Sequence, residues 1–392
     1  MKLADLKTKI QEEVETHRQG IVDLSLKIHA NPEIAWQEVK ASGWLTDYLE
    51  KNGFKVERGI CGLPTAFRAS YGEGKPVVAY VCQYDAVTNT SHGCGHNIIA
   101  AAGVGASVAA KLAADQFGGT ILVIGTPAEE VLGGKVIMVE KKAFASIDVA
   151  LMVHPTGEHD WAGISSTNMT TLTVEFWGKE AHAAADPWDG ISALQAMISA
   201  FNNINALRLH IKDKARVHGI ITDGGKAANV VPEHCAGTFM IRSVEEAYLD
   251  ELCEKVLSCF KGAALSIGAR LGYRWGTKIY RMHPNHVLLG LWRNNMATLG
   301  RKVREIKDVQ ASSDMGNVSL VVPSIFPLIA IASKPLATHS AEFHAAAVSD
   351  AGNQGVIDSA KALAMTATDV MAQPETLSQV REEFLQMSKQ VE

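Results

Sequence analysis

The sequence predicts an α/β protein in which a mainly parallel sheet is interrupted by a small α+β sandwich. Between residues 76 and 153, short buried strands alternate with helices, which is typical of a parallel sheet. Near residue 168 the pattern changes to half-exposed alternating strands and long helices, which indicates two antiparallel pairs with two helices. We therefore expect a discontinuous first domain, residues 1–167 and 284–392, and an inserted domain, residues 168–283.

Length and composition limit the possible functions. The 392 residues are too many for one ordinary core, and 47% hydrophobic with 20% charged residues is normal for a soluble globular enzyme. The net charge of −5, without a basic block, argues against nucleic acid as a partner. We see no apolar run of about 18 residues that would span a bilayer, and the charged N-terminus is not a signal peptide. Six scattered cysteines suit a reducing cytoplasm.

The first part of the chain alternates between helical and extended patterns. The helical period of residues 3–30 stops at Asn31-Pro32, and the two following strands form a hairpin-like ribbon. The predicted elements here are helices at 3–30, 42–52, 98–114 and 135–142, and strands at 54–57, 65–71, 76–83, 119–125 and 149–153. The later elements are strands at 170–177, 216–222, 232–242, 270–280 and 323–331, and helices at 190–209, 244–267, 285–299 and 350–371, the last of which we expect to be the final helix.

The loop from Ser91 to Asn97 brings a thiol and an imidazole two residues apart, at Cys94 and His96, with glycine before and between them. Glycine allows a tight turn, and the start of a helix favours a thiolate over a thiol. Each residue alone is more often simply packed in a core. The metal-ligand interpretation gains weight because other polar residues also follow strand ends, where ligands bind in parallel sheets: Asp85, Glu129, Glu130 and His154.

Together these residues form a set of sulfur, nitrogen and oxygen donors suited to Zn²⁺ or a neighbouring first-row ion. Either His339 or His344 is a candidate for a late histidine ligand. In the Glu129-Glu130 pair one side chain can bind metal while the other acts as the base for the attacking water; the alternative is a solvated surface pair. Asp85 is either a turn or cap residue or the partner that holds a ligand histidine in place.

Motifs along nearly the whole chain resemble those of the co-catalytic metal aminoacylase and peptidase family. The most similar branch contains auxin-conjugate amidohydrolases, aminobenzoyl-glutamate hydrolases and related dipeptidases. Asn97 stands where many auxin-conjugate hydrolases carry Asp, which points to the aminobenzoyl-glutamate and dipeptidase side. The matching segments are 84–86 (YDA), 92–97 (HGCGHN), 127–130 (PAEE), 152–155 (MVHP), 178–184 (GKEAHAA), 224–225 (GG), 229–232 (NVVP), 312–318 (SSDMGNV) and 339–343 (HSAEF).

The resemblance implies a zinc-peptidase-like catalytic domain that binds two divalent metal ions per subunit, Zn or Mn. It implies that the ligands are Cys94, His96, Glu130, His154 and His339, and that Glu129 is the base. His344 is not in the family's position, so we interpret it as a surface histidine or as one that supports a ligand.

The resemblance further implies that the inserted domain is a dimerisation or lid domain of a homodimer. His182 would complete the active site of the partner subunit, and Asn229 and Arg242 would lie near the substrate carboxylate. From the residues alone, His182 is more often an ordinary strand-end histidine and Arg242 an exposed strand charge.

The predicted function is that of a cytoplasmic metal-dependent amidohydrolase or dipeptidase that cleaves N-acyl or N-aroyl amino acids or dipeptides. The alternative is a catalytically silent metal-binding or regulatory protein on the same scaffold. A nucleotide-binding protein is disfavoured because Val108 stands where a third glycine is needed after Gly103 and Gly105. A serine hydrolase is disfavoured because no Gly-x-Ser-x-Gly segment occurs. The sequence leaves the acyl group, the amino acid and the choice between Zn and Mn open.

Overall fold

A computed structural model describes residues 1–131, 133–308 and 311–391. The chain divides into two compact units. Unit 1 takes in the described residues of Met1–Ser165, Met282–Val309 and Ser313–Glu392, and unit 2 those of Ser166–Arg281 and Gln310–Ser312. These divisions lie close to the boundaries predicted after residues 167 and 283. The role of the insert in dimerisation stays a prediction at this point.

In the described part of the chain, the helices are α1 (Leu3–Thr16), α2 (Arg18–His29), α3 (Val39–Lys51), α4 (His96–Phe117), α5 (Gly134–Glu140), α6 (Ala193–Leu207), α7 (Glu246–Ile267), α8 (His286–Thr298), α9 (Met315–Ser319), α10 (Ala341–Ala346), α11 (Asp350–Ala372) and α12 (Pro374–Val391). The strands are β1 (Lys55–Arg58), β2 (Phe67–Glu73), β3 (Val77–Gln83), β4 (Gly119–Thr126), β5 (Val149–Leu151), β6 (His154–Thr156), β7 (Asp160–Trp161), β8 (Ile164–Ser165), β9 (Asn168–Trp177), β10 (Arg216–Asp223), β11 (His234–Ser243), β12 (Arg270–Trp275), β13 (Val303–Arg304), β14 (Lys307–Asp308), β15 (Ser324–Ile325) and β16 (Leu328–Ala330).

The main sheet of unit 1 has the order β1-β2-β4-β3-β5-β15. The pairs β3/β4, β3/β5 and β5/β15 are parallel, whereas β1 and β2 add an antiparallel edge. Every residue of β3 is buried, as expected for a central strand covered on both faces. The predicted mainly parallel α/β sheet and its hairpin-like ribbon are confirmed.

Helix α4 packs against this sheet through small residues. A Cβ added at Gly103 would lie 2.5 Å from Cys82 Sγ of β3, so glycine permits the close approach of helix and strand. Among the described residues, α4 is also long and apolar enough to cross a membrane, and 89% of that apolar window is buried inside the fold. The expectation that no apolar segment reaches this length is therefore wrong, because the alanine-rich helix meets the criterion while serving as a core helix.

Unit 2 contains one four-stranded antiparallel sheet in the order β10-β11-β9-β12, with α6 and α7 packed on its apolar face. Burial alternates along β9 and β11, which matches the half-exposed pattern in the sequence. The predicted two pairs are thus joined into a single sheet. Its edge strand β10 is mostly exposed, and Ile220 of that strand is 65% exposed.

Three predicted elements differ from the structure. The helix expected at 3–30 is two helices separated at His17, although the apolar period of the sequence continues across the break. The strand expected at 323–331 is two strands in different sheets, because Pro327 between β15 and β16 cannot donate to a ladder. Helix α11 is followed by another helix, α12. The Glu383 carboxylate of α12 accepts hydrogen bonds from the first two N–H groups of α8, at 2.7 and 3.0 Å.

Candidate metal centre

The predicted ligands of unit 1 come from loops at one edge of the main sheet. Parallel strands β3 and β4 end at Gln83 and Thr126, and the loops that follow carry Asp85 and the Glu129-Glu130 pair. Helix α4 begins at His96, and β6 begins at His154. Because parallel strands end at the same edge, these side chains converge.

A glycine allows the Cys94–His96 loop to contact the start of β6, which carries His154. Gly95 has a φ of 74°, and a Cβ there would lie 2.6 Å from Pro155 Cγ. Any other residue would push this loop away from Pro155. The resulting contact places Cys94 Sγ 3.5 Å from His154 Nε2.

Two donor triads share the Cys94 thiol. Cys94, His96 and His154 form one triad, and Cys94, Glu130 and His339 form the other; in each, the donor atoms lie within 4.8 Å of one another. His96 also forms a group of the same kind with Glu129 and Glu130. Two cations held by these triads would have one sulfur donor in common.

The turn before the two glutamates brings both carboxylates close to His96. Ala128 has a φ of 58°, a left-handed conformation that is uncommon for residues other than glycine, and its N–H donates to the buried carboxylate of Glu38 at 2.8 Å. Glu129 Oε2 lies 3.8 Å and Glu130 Oε1 lies 3.5 Å from His96 Nε2. Both carboxylates therefore face the same imidazole, and Glu130 Oε2 lies 3.5 Å from His339 Nε2.

Asp85 connects two of the donor residues. Its Oδ2 accepts the Glu130 N–H at 2.8 Å, while its Oδ1 lies 3.2 Å and its carbonyl oxygen 2.8 Å from His96 Nδ1. With Nδ1 donating to these oxygens, His96 Nε2 carries the electron pair of the neutral ring, the pair with which an imidazole binds a metal. This geometry favours the interpretation of Asp85 as the residue that positions His96.

The charges of the cluster suit bound cations. Burial alone would raise the pKa of Cys94, but the adjacent His96 and His154 lower it to about 5. Burial likewise opposes the ionisation of Glu130, yet the hydrogen bond from His339 and the charge of His96 lower its pKa to about 2. Hydrogen bonds with Cys94 and Glu130 raise the pKa of His339 to about 10. Protons are thus attracted to the positions where cations would be held.

A further observation supports the fit of a divalent metal to this donor set. Among the described residues, the buried Glu130 Oε1 has no hydrogen-bond partner, although buried carboxylate oxygens are normally paired. Thiolate, imidazole and carboxylate together are the ligands that zinc prefers. Burial and the nearby charge of Asp314 raise the pKa of Glu129 to about 8, and positive charge beside it would lower that pKa again.

Sequence reasoning missed a buried network behind His96. Gln83 Nε2 lies 2.9 Å from His96 Nε2, and Gln83 Oε1 accepts from Lys135 Nζ at 2.7 Å. Lys135 Nζ also donates to Asp314 Oδ1 at 2.6 Å, and both side chains are fully buried. A glutamine at the end of an apolar strand and the aspartate of the 312–318 motif were the available signals.

His344 lies outside the donor groups found among the described residues. Its ring stacks on that of His29 with the centroids 4.0 Å apart, and its backbone oxygen lies 2.9 Å from His29 Nε2. The structure thus brings His339, and not His344, to the other donors.

The remaining predicted site residues belong to unit 2. His182 is exposed, and its Nδ1 accepts hydrogen bonds from the N–H groups of Ala184 and Ala185 at 3.2 and 3.1 Å. The Asn229 carbonyl accepts the N–H of the residue after His182 at 3.0 Å, so the two segments are neighbours. Arg242, on β11, donates to Ser312 Oγ at 3.1 Å, and burial lowers its pKa.

Comparison with known proteins adds a family context. Residues 164–266 match the Peptidase dimerisation domain family. The chain is 35% identical to the Xaa-Arg dipeptidase of Mus musculus over 97% of its own length and 92% of that protein. It is 34% identical to one of the p-aminobenzoyl-glutamate hydrolase subunits of Escherichia coli, over 71% of the chain and 62% of that protein.

Solved structures agree on the fold. An aminobenzoyl-glutamate utilization protein from Klebsiella pneumoniae superposes with a TM-score of 0.74, 19% identity and coverage of 92% of this chain and 98% of that one. A dinuclear metal-binding peptidase of the M20 family from Bacillus subtilis superposes with a TM-score of 0.69, 17% identity and coverage of 91% and 99%.

Proposed function

The chain belongs to the M20 peptidase family, and on this premise we propose that it hydrolyses the amide bond of dipeptides or of N-acyl and N-aroyl amino acids. The observation that carries the proposal is the pair of donor triads with a common thiol, next to Glu129, which belongs to neither triad. The relatives that carry the names Xaa-Arg dipeptidase and p-aminobenzoyl-glutamate hydrolase support both substrate types. A silent scaffold protein is the second candidate, and the retention of Glu129 beside a complete donor set argues against it.

We propose that each subunit holds two divalent ions. Cys94, His96 and His154 would hold one ion, and Glu130 and His339 would hold the other together with Cys94. Zinc is favoured over manganese because a thiolate and three imidazoles are soft or intermediate donors. Such ions polarise the scissile carbonyl and lower the pKa of water.

Glu129 acts as the general base in this proposal. Its carboxylate lies in the cluster, and it is absent from the two triads that share Cys94. It would take a proton from the attacking water and pass it to the leaving amine. Its burial, with 8% exposure, keeps bulk water from competing for that proton.

His182 would supply a hydrogen bond to the oxyanion. Because its Nδ1 accepts two backbone N–H groups, the proton of the neutral ring lies on Nε2, which is then a donor. Asn229 and Arg242 would bind the substrate carboxylate. We further propose a homodimer in which His182 serves the partner's site, supported by the dimerisation-domain match and the exposed edge strand β10. The unpaired cysteines support a reducing cytoplasm.

The proposal is tested by metal analysis of the purified protein and a substrate panel. Xaa-Arg dipeptides, p-aminobenzoyl-glutamate and N-acetyl amino acids are assayed before chelation, after chelation and after re-addition of Zn²⁺ or Mn²⁺. We expect two metal ions per subunit, hydrolysis of at least one amide class, loss of activity in the chelated protein and recovery with one of the ions. A protein that binds two ions and cleaves no member of the panel would favour the silent alternative.

A further inference from the structure

An apolar cavity of about 320 Å³ lies beside the candidate metal centre within unit 1. Its apolar wall includes Ile34, Trp36, Val87 and Val131, and Glu130 lines it as well. Glu130 also belongs to the triad with His339, so the cavity and the donor cluster have this side chain in common. Its volume lies within the range of small-molecule sites, about 300–1,000 Å³.

The wall of this cavity is held by the same buried carboxylate that holds the Glu129-Glu130 turn. Glu38 is fully buried, and its Oε1 accepts both the Trp36 N–H at 3.0 Å and the Ala128 N–H at 2.8 Å. Ile34, which lies two residues before Trp36, also forms a parallel β-bridge with Ala86, the residue that follows Asp85. The apolar wall and the candidate catalytic residues are therefore fixed to one another.

Trp36 has an unusual conformation for a large residue. Its φ is 69°, a value at which bulky side chains are rare, and strain of this kind collects at functional sites. A Cβ added at Gly133 would lie 3.3 Å from Trp36 Cζ2, so the indole lies beside Gly133. Trp36, Ile34 and Val131 nevertheless remain 43%, 40% and 55% exposed, respectively. The fold thus leaves three large apolar side chains in contact with water around one cavity.

The charge of the cavity decides which part of the substrate it suits. Among the described residues that line it there is no lysine or arginine, and the carboxylate of Glu130 is a proposed metal ligand. The free carboxylate on the amino-acid side of the substrate would therefore find no cationic side chain to pair with in this cavity. The acyl side of an N-acyl or N-aroyl amino acid is uncharged and offers aromatic or aliphatic surface to Trp36.

We propose that this cavity binds the acyl side of the scissile amide and that Trp36 determines the preference for aromatic or large aliphatic acyl groups. The inference rests on the proposed amide hydrolysis and names the substrate class of that site. An aroyl group in the cavity removes both its own ring and the exposed indole from water, whereas an acetyl group is too small to do so.

The test compares 4-aminobenzoyl and acetyl substrates of one amino acid that the enzyme accepts. Trp36→Ala is expected to lower kcat/KM for the aroyl substrate by about 10- to 100-fold and that for the acetyl substrate by less than about threefold. Trp36→Phe is expected to lie between Trp36→Ala and the wild type. Phe117→Ala is the matched control, because Phe117 is 37% exposed at the far end of α4, about 30 Å from His96.

Binding of 4-aminobenzoate to the metal-loaded protein, measured by calorimetry, separates this inference from the hydrolytic function. The inference predicts a Kd about tenfold weaker in Trp36→Ala than in Phe117→Ala, even if the wild type cleaves no amide. Equal losses on aroyl and acetyl substrates, or an unchanged affinity for 4-aminobenzoate, would overturn the acyl-site assignment. Wild-type inactivity together with the predicted affinity change would instead overturn only the hydrolase proposal.

Discussion

Asp85→Asn is the most informative change at the candidate metal centre, because it alters hydrogen bonds while leaving every proposed ligand in place. The carboxylate contacts the Glu130 N–H through one oxygen and His96 Nδ1 through the other. An amide has only one acceptor oxygen. Since the 2.8 Å bond to Glu130 is shorter than the 3.2 Å contact with His96, we expect the amide oxygen to keep Glu130 and the NH₂ group to face Nδ1–H.

The expected loss of metal affinity follows from the mismatch between the amide group and His96 Nδ1–H. One contact to a charged acceptor, worth about 1.5–3 kcal/mol, is lost, and two donors then face each other at a fully buried site. The Asp85 carbonyl, 2.8 Å from Nδ1, still holds the ring, so the imidazole is weakened as a ligand without being removed. We expect metal affinity to fall about 10- to 100-fold, as is typical when a residue that orients a ligand histidine is changed.

The assay is a competition titration of the metal-loaded protein with a chelator, followed by metal analysis of the protein fraction. Asp115→Asn is the matched control, because that exposed aspartate accepts one hydrogen bond from Tyr71 and lies near the C-terminal end of α4, about 28 Å along the helix from His96. Thermal unfolding verifies that both variants fold. A folded Asp85→Asn protein with the metal affinity of the control would refute the proposed role of Asp85.

Three further predictions test the ligands and the partner subunit. Cys94→Ser should reduce retention of both ions after dialysis against a chelator, since a hydroxyl replaces the thiolate common to both triads; unchanged stoichiometry would count against Cys94. His339→Ala should lose one ion, while His344→Ala, which removes a ring stacked on His29, should lose none; the opposite result would reverse our choice of late histidine. His182→Ala should be nearly inactive with both ions bound, and mixing it with Glu129→Gln under subunit exchange should restore amide cleavage. Verified exchange without recovery would show that His182 does not act on a partner's site.

Much of the candidate site could be predicted because its residues follow strand ends. Cys94, His96, Glu130 and His154 each lie within four residues of the end of a strand or the start of a helix, and parallel strands bring such positions to one edge. His339 has no such signal. Its selection rests on the resemblance, and the structure holds it by a hydrogen bond from its N–H to the Gly93 carbonyl at 2.8 Å, a contact between distant segments.

The missed residues are those whose role depends on long-range contacts. Glu38 looks like an ordinary surface glutamate before a helix, yet its buried carboxylate holds the turn at Ala128. Lys135 was expected on a helix, where lysine is normally exposed, and its ammonium is instead fully buried against Asp314. Neither periodicity nor composition predicts such pairing, because it is created when separate loops meet.

The same limit explains the errors in the fold. The apolar residues of α1 and α2 follow one continuous helical period, and this period does not indicate the break between the two helices at His17. Pro327 divides what the apolar pattern of 323–331 presents as a single strand. The elements β3, α4 and β9 were predicted because the continuous apolar runs of β3 and α4 and the alternating pattern of β9 are visible in the local sequence.

The central claim is that Glu129 is the base of a metal-dependent amide hydrolysis, and Glu129→Gln measures it most directly. The amide keeps the volume of the side chain but cannot take a proton from water. With two metal ions per subunit verified in the purified variant, we predict that kcat falls by about 10²- to 10⁴-fold on the best substrate of the panel. A variant that retains both ions and turns over that substrate at a rate close to the wild type would contradict the account.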